Sequence, residues 1–327
     1  MKDLSTKYLG LDLKNPLLVG SCGLTNSVDK IKELEDNNAA GIVLKSLFEE
    51  QIQAEISSNM DEYNTDYPGA FDYVRDYSRG NEVEKYLRLI SDAKKTVDIP
   101  IIASINCVSG DEWISFAKSV EQAGADALEL NISLLPSNPQ MTSAVNEEKY
   151  FNILDSVGGM LSIPLALKMS HYSASLANLI SKLSWNDNVA GFVLFNRYYM
   201  PDIDIEKMEV TSSNVLSRPD EIYESLRWVA IMSGLIKKDL AASTGVHDST
   251  GVIKQLLAGA TAVQVVSALY NNGPAHLKEM LVGLEKWMDE NSYDSLNDFR
   301  GKLSYDPKGN SAVFERTQFM KYYSGMS

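Results

Sequence analysis

The chain has 327 residues, of which 44% are hydrophobic, and it carries a formal net charge of −14 at pH 7. This composition is typical of a globular protein with a sizeable core, and the negative charge argues against nucleic acid as a partner because phosphate backbones would be repelled. No stretch of about 18 or more uncharged apolar residues occurs, so the sequence predicts no transmembrane helix.

The amino terminus and the cysteines give expectations about the compartment. Residues 1–7 contain no apolar segment of the kind that secretory signals use, so we expect a cytoplasmic protein. Cys22 and Cys107 lie far apart and outside any CxxC or CxxH motif. The sequence therefore predicts two reduced thiols, without a disulfide framework or a bound metal.

In chain order, residues 1–13 predict a short hairpin that caps the bottom of a barrel, and residues 16–20 predict the first buried strand. Four times further along, an amphipathic stretch ends in a small residue and glycine and is followed at once by an apolar run. We expect the glycine to supply a left-handed turn at a helix end, and the apolar run is typical of a strand buried on both faces. These boundaries lie at residues 38–44, 123–130, 189–195 and 258–266.

Three further segments bring the number of predicted strands to eight. Residues 97–105 and 161–168 enter their strands through a proline, which a strand tolerates at its start, and residues 238–243 form the seventh strand. Eight strands alternating with helices favour an α/β protein built as a single (β/α)8 TIM barrel over residues 1–327. A doubly wound sheet is less favoured, because no G-x-G-x-x-G follows an early strand.

Besides the hairpin over residues 1–13, three segments lie outside the eight units. Residues 47–80 and 197–220 are predicted as long loops on the carboxyl-terminal face of the barrel, the first containing Tyr63, Tyr67, Tyr73 and Tyr77. Insertions of this length are usually lids or binding loops. The tail from residue 291, including a carboxyl-terminal extension over 304–327, is interpreted either as a packed appendage or as a surface for a partner.

Polar and small residues stand where the predicted strands end, which is where barrels of this kind carry their chemistry. Two lysines at the ends of apolar strands are costly to bury unless an anion meets them, and asparagine amides suit the edges of a planar ring. The loops after the seventh and eighth strands are a common place for a phosphate. In chain order these residues are Gly20, Ser21, Lys45, Ser46, Asn106, Asn131, Ser133, Lys168, His171, Asn196, Arg197, Ser243, Thr244, Gly245, Val266 and Ser267.

Each residue also has a simpler interpretation. A strand-end lysine is often paired structurally, and Ser-Thr-Gly is often an ordinary turn. Together on one rim, however, these residues favour a flavin site with a phosphate cup, since a cation stabilises the negative charge of a reduced flavin.

The chain resembles the dihydroorotate dehydrogenase family over about residues 4–303. The resemblance implies a barrel that binds flavin mononucleotide (FMN), acts on a small-molecule substrate and forms a homodimer in the cytoplasm, with pyrimidine chemistry as the expected setting. It rests on residues 13–17, 44–46, 128–133, 167–168, 195–196, 256–261, 263–265, 268–270, 273–274 and 296–303.

The resemblance also assigns roles. It implies that Lys45, Asn131, Lys168 and Asn196 contact the isoalloxazine or the substrate, and that residues 243–245 and 266–267 surround the phosphate. In the family a hydride passes to flavin while a Cys or Ser after the fourth strand removes a proton. Leu134 stands at that position, and leucine cannot accept a proton.

Other residues of the rim are candidates for contact with substrate or for the base that Leu134 replaces. His171 and Cys107 are candidate bases, Ser133 is expected to hydrogen-bond substrate, and Arg197 is a candidate clamp for a carboxylate because its planar fork matches that group. In the family, Gly-Gly and Gly-Thr pairs line the phosphate cup. Here those positions hold Thr244-Gly245 and Val266-Ser267.

Three functional hypotheses follow from the sequence. The first is an FMN-dependent oxidoreductase acting on the CH–CH bond of a small planar or carboxylated substrate. The second is a flavin-free, phosphate-binding barrel enzyme. The third is a degenerate barrel that binds flavin or a protein without turnover.

Overall fold

The computed structural model describes residues 2–48, 68–106, 113–198, 200–309 and 314–315. Eight parallel strands form a closed ring, because the first strand pairs with both the second and the eighth. This confirms the predicted (β/α)8 barrel. The first to eighth barrel strands are Leu17–Val19, Gly41–Val43, Ile101–Asn106, Ala127–Asn131, Leu165–Lys168, Val189–Leu194, Asp239–Ser243 and Ala262–Val265.

Helices pack around the outside of the ring. The helix Leu176–Ser184 shows why they form, since it buries Leu176, Leu179, Ile180 and Leu183 on one stripe with helical spacing. The α-helices of the described residues are Val28–Asp36, Pro68–Thr96, Trp113–Gln122, Ser143–Gly158, Leu176–Ser184, Ile222–Leu235, Ser249–Ala258, Ser267–Asn272 and His276–Glu290. None of them combines the length and the apolar composition needed to cross a membrane.

A hairpin formed by Thr6–Tyr8 and Leu11–Leu13 closes the amino-terminal end of the barrel. Tyr8, Leu9 and Leu13 are buried against inward-facing residues of the barrel strands. The Leu9 N–H donates a 2.7 Å hydrogen bond to the Asp239 carboxylate at the start of the seventh strand. The predicted cap at the barrel bottom is confirmed.

The four glycine boundaries fall into two kinds. Gly124 and Gly259 adopt left-handed backbone, with φ of +97° and +111°, as a helix end requires. Gly41 and Gly191 do not, and the expectation of a left-handed glycine there is wrong. They lie inside barrel strands where a Cβ would meet a neighbour, 2.8 Å from Leu18 Cδ2 at Gly41 and 2.7 Å from Leu9 Cδ2 at Gly191. Close packing requires glycine at these two positions.

The predicted loop over residues 47–80 is wrong in part. Leu47–Phe48 forms a short strand beside the third barrel strand, and residues 68–80, including Tyr73 and Tyr77, belong to the long helix Pro68–Thr96. Proline suits the first turn of a helix, and the later ion pair Lys85–Glu82 has helical spacing. Tyr63 and Tyr67 lie outside the described residues.

The second insertion contains its own secondary structure. Pro201–Asp204 and Glu209–Ser212 pair as an antiparallel hairpin, and the short 3₁₀ helix Pro219–Glu221 leads into the helix Ile222–Leu235. Further 3₁₀ turns are Gly23–Thr25 and Leu296–Asp298. At the start of the carboxyl-terminal extension, the Tyr305 N–H donates to the Ala230 carbonyl at 2.9 Å, so this part of the extension packs on the barrel.

Candidate functional site

A cavity of about 630 Å³, which we call the rim cavity, opens at the carboxyl ends of the barrel strands. This volume is within the range of about 300–1,000 Å³ that is typical of ligand pockets. The cavity brings together twelve of the sequence-predicted residues, from the carboxyl ends of seven of the eight strands and the loops that follow them. They are Ser21, Lys45, Ser46, Asn131, Lys168, Asn196, Arg197, Ser243, Thr244, Gly245, Val266 and Ser267.

Lys168 is a buried cation at the base of the rim cavity. Its ammonium lies 3.5 Å from Glu129 Oε1 and donates a 3.3 Å hydrogen bond to Gln264 Oε1. Gln264 Nε2 donates in turn to Glu129 Oε2 at 2.6 Å. Both partners are almost fully buried. The three side chains therefore form one polar network inside the barrel, which holds the charge of Lys168 beneath the cavity.

Hydrogen-bonding capacity remains unused in the same cavity. The Oδ1 atom of Asn131 is buried and has no hydrogen-bond partner among the described residues. Lys45 is exposed, and its ammonium has no ion-pair partner in the described part of the chain. A buried acceptor without a partner is costly, so this arrangement favours a ligand that donates to Asn131 and carries negative charge near the lysines.

A row of hydroxyl groups continues from the rim cavity into the barrel. Ser21 Oγ lies 3.0 Å from Ser46 Oγ, which lies 2.7 Å from Ser104 Oγ. The Ser46 N–H also donates to Ser21 Oγ at 2.8 Å. These contacts hold the loops after the first and second strands together on one side of the cavity.

The predicted phosphate cup has an unusual backbone. Thr244 and Gly245 both adopt left-handed conformations, with φ of +78° and +76°. A Cβ at position 245 would collide with the backbone of Ile222, so a glycine is needed there. The Ser267 hydroxyl accepts a 2.9 Å hydrogen bond from the Ser217 N–H. Ser217 Oγ accepts from the Gly245 N–H at 3.4 Å and lies 3.2 Å from His247 Nε2.

Arg197 lines the cavity with its guanidinium already engaged. Nε donates to Glu221 Oε2 at 2.7 Å, and the terminal nitrogens donate at 2.8 Å to the carbonyl oxygens of Asn214 and Val215. These bonds fix the insertion after the sixth strand against the start of the next helix. Arg197 is therefore paired with an acid of the chain itself, Glu221 just before that helix.

Four predicted residues do not line the rim cavity. Ser133 is exposed and Asn106 is half-buried at the end of the third strand, while Gly20 is packed behind Val266 and Gln264. His171 lines a second cavity of about 420 Å³, which we call the lateral cavity. Cys107 lies outside the described residues.

The lateral cavity also contains Leu134, the residue at the family's base position. The two cavities are neighbours. The ring of His171, in the lateral cavity, stands 5.9 Å from the ring of Phe195, which lines the rim cavity. Burial lowers the pKa of His171 below its ordinary value. The imidazole is therefore neutral near pH 7 and can accept a proton.

Several residues in or beneath the rim cavity were missed from the sequence. Glu129 and Gln264 are single polar residues inside apolar strands, and that interruption is a signal that could have identified them. Ser217 had no such signal, because it comes from an insertion whose path the sequence does not specify. Cys22 also lines the cavity, beside the Tyr270 hydroxyl, and burial raises the pKa of its thiol.

The described residues contain no group of three or more His, Cys, Asp or Glu side chains arranged to hold a metal ion.

A closed parallel barrel with a cation-lined cavity at the carboxyl ends of its strands defines the class of α/β-barrel enzymes. Residues 3–288 match the family model described as dihydroorotate dehydrogenase, and the chain belongs to that family of oxidoreductases. Its resemblance to the family is thereby confirmed.

Two curated relatives illustrate the similarity. The chain is 26% identical over 318 residues to the catalytic subunit of dihydroorotate dehydrogenase B (NAD(+)) of Thermoplasma volcanium, covering 92% of this chain and 98% of the relative. It is 24% identical over 321 residues to dihydroorotate dehydrogenase A (fumarate) of Lactococcus lactis, covering 92% and 99%.

Proposed function

We propose that the chain is an FMN-dependent oxidoreductase whose rim cavity holds the flavin. The observation that carries this proposal is the convergence of Lys45, Asn131, Lys168 and Asn196 on one cavity, where the buried Asn131 Oδ1 has no hydrogen-bond partner among the described residues. An isoalloxazine ring has an N–H group that can donate to Asn131 Oδ1. It also has an edge that becomes negative on reduction, which suits the two lysines.

Different residues of the rim cavity are proposed to bind the ring and the phosphate of the cofactor. Lys168, held by Glu129 and Gln264, offers a positive charge to the pyrimidine edge of the ring. Bound FMN supplies the capacity to accept a hydride from a carbon–hydrogen bond. The Ser267 oxygen accepts from the Ser217 N–H, so its O–H can still donate. We propose that this hydroxyl and backbone N–H groups of the loops around Thr244 and Ser267 hold the phosphate.

The proposed substrate is small and planar or carboxylated, and pyrimidine-related chemistry is supported by the names of the relatives. Ordinary dihydroorotate oxidation needs a base that Leu134 does not provide. We propose that His171, which lines the same lateral cavity as Leu134, takes the proton instead. Leu134 also favours one second candidate, a barrel that binds flavin without turnover.

Anaerobic spectroscopy on the purified protein separates the two candidates. The protein is loaded with FMN, photoreduced, and mixed in turn with orotate, fumarate and uracil, while oxidised protein is mixed with dihydroorotate. We expect at least one of these compounds to change the redox state of the flavin. If none does, the pyrimidine-related proposal fails and flavin binding without turnover is favoured.

The Leu134→Cys variant tests the proposed reason for altered activity. A thiol at this position restores the type of base that the family uses, so we expect dihydroorotate to reduce the flavin about 10²-fold faster than in the wild type. Leu135→Cys, an exposed neighbour in the same loop, is the matched control and should change nothing. Equal rates in the wild type and Leu134→Cys would contradict this explanation.

A homodimer is also proposed. The hairpin after the sixth strand leaves Ile203, Ile205, Met208 and Val210 exposed, and clustered exposed apolar residues are typical of protein interfaces. Light scattering should give twice the 36.2 kDa mass of one chain, whereas a monomer at all concentrations would exclude the dimer.

A further inference from the structure

The lateral cavity has features that the proposed flavin site does not explain. It lies between the loops that follow the fourth and fifth strands and is backed by the helix Ser143–Gly158. It shares no lining residue with the rim cavity. The residues that matter for its chemistry are Leu134, Glu147, Tyr150, His171 and Tyr172.

The walls of the lateral cavity are largely apolar and aromatic. Tyr150 is buried, and its hydroxyl is used by the two loops, donating to the Ile132 carbonyl at 3.5 Å and accepting from the Ser170 N–H at 3.4 Å. Its ring is therefore what it offers to a ligand. The ring of Tyr172 lies 4.0 Å from that of His171. Together with Leu134, these rings form a surface suited to a flat apolar group.

One carboxylate breaks this apolar lining. Glu147 is half-buried, and within the described residues its only hydrogen bond is with Ser173 Oγ at 3.2 Å, without any ion pair. Neither ring nitrogen of the neighbouring His171 has a hydrogen bond with any residue that the structure describes. A partly desolvated carboxylate beside aromatic rings attracts a cation twice, through direct charge pairing and through the ring faces.

We propose that the lateral cavity is a second ligand site, which binds a small molecule made of an aromatic ring that carries a protonated amine. The ring packs against Tyr150, Tyr172 and Leu134, and the ammonium pairs with Glu147. This chemistry differs from that of the rim cavity, whose lysines favour negative charge. The lateral cavity shares Leu134 and His171 with the proposed proton transfer but takes no part in holding the flavin, so binding of the amine and binding of FMN can be tested, and can fail, separately.

Three probes with the same ring and different charge test the proposal: benzylamine, benzyl alcohol and benzoate. Binding to the full-length protein is measured by ligand-observed NMR titration. We expect benzylamine to bind most tightly, benzyl alcohol more weakly and benzoate not at all. Glu147→Gln should weaken benzylamine by about ten-fold, as expected when a charge-assisted contact is lost, and should leave benzyl alcohol unchanged.

Glu148→Gln is the matched control, because it removes the same charge from the next residue of the helix, which is exposed and does not line the cavity. Ser143→Trp, at the exposed edge of the cavity, should block benzylamine and benzyl alcohol alike. The proposal is overturned if benzoate binds as well as benzylamine, if Glu148→Gln and Glu147→Gln have equal effects, or if no probe binds at millimolar concentration. FMN titration of the same variants reports separately on the rim cavity.

Discussion

At the scale of single residues, the contacts around Lys168 explain how a cation can stay at the base of an apolar barrel. The ammonium has one carboxylate partner, Glu129, and one amide partner, Gln264. A charge taken from water is tolerated when it is paired and hydrogen-bonded. The sequence predicted Lys168 from its position at a strand end, whereas its pairing with Glu129 of the neighbouring strand and Gln264 of the eighth strand is visible only in the closed barrel.

Removing the carboxylate should therefore destabilise the fold. Glu129→Gln leaves the Lys168 charge without a counter-ion, and we expect a loss of about 3 kcal/mol in the free energy of unfolding, at the lower end for buried pairs because the ammonium reaches the cavity. Urea denaturation measures this loss. Glu290→Gln, which breaks the exposed pair with Lys286, should cost less than about 0.5 kcal/mol.

A double variant extends the same measurement. Glu129→Gln combined with Lys168→Met removes both charges, so its loss should be smaller than the sum of the two single losses. Strictly additive losses would contradict a coupled pair.

The proposed role of His171 predicts a pH dependence. Its folded-state pKa lies below the ordinary 6.5 because burial disfavours the charged ring, so the neutral form persists as pH falls through 6.5. If His171 accepts the proton, kcat/KM stays full at neutral pH and is lost only below 6.5. Protonation also costs stability in that acidic window, since the unfolded chain binds the proton more readily.

His171→Gln tests this role through the pH profile. It should remove the acid limb and lower kcat by about 10²–10⁴-fold, while His276→Gln, at the start of a helix outside both cavities, should retain the limb. An unchanged acid limb in His171→Gln would assign the proton to another group.

At the scale of elements, the apolar runs and their proline or glycine entries were enough to predict all eight barrel strands. The same patterns misassigned particular residues for physical reasons. Gly41 and Gly191 are glycines because side chains crowd them, which depends on contacts between distant strands and the hairpin. Residues 68–80, which contain Pro68 and Gly69, were predicted as loop, yet proline suits the first turn of a helix and these residues begin the helix Pro68–Thr96.

Gly191 offers a direct test of how tightly the hairpin packs into the barrel. A Cβ there would stand 2.7 Å from Leu9 Cδ2 and 2.9 Å from the Asp239 carbonyl oxygen. Gly191→Ala should cost about 1–3 kcal/mol of unfolding free energy through overpacking, measured by denaturant titration.

Gly159→Ala is the control for that substitution. Its added Cβ meets nothing within 4 Å, and its backbone φ of −76° suits alanine, so the change should be neutral or slightly stabilising. Equal effects at positions 159 and 191 would show that the hairpin contact is loose.

At the scale of the whole molecule, the hairpin closes one end of the barrel and leaves the rim cavity at the other. This arrangement concentrates Lys45 and Lys168 in a chain whose net charge is −14. A bound anion must therefore be held locally by these residues and by backbone N–H groups, against the field of the whole protein. The strand order predicts where the site lies. Which side chains contact each other there is shown only by the structure.

Titration of the full-length protein with FMN, followed by flavin fluorescence, tests the central claim most directly. We expect saturable binding of one FMN per chain, weakened about ten-fold or more by Asn131→Ala and unchanged by Lys237→Met, which removes an exposed lysine outside the rim cavity. A protein that binds no FMN, or that binds it equally well after Asn131→Ala, would contradict a flavin site in the rim cavity.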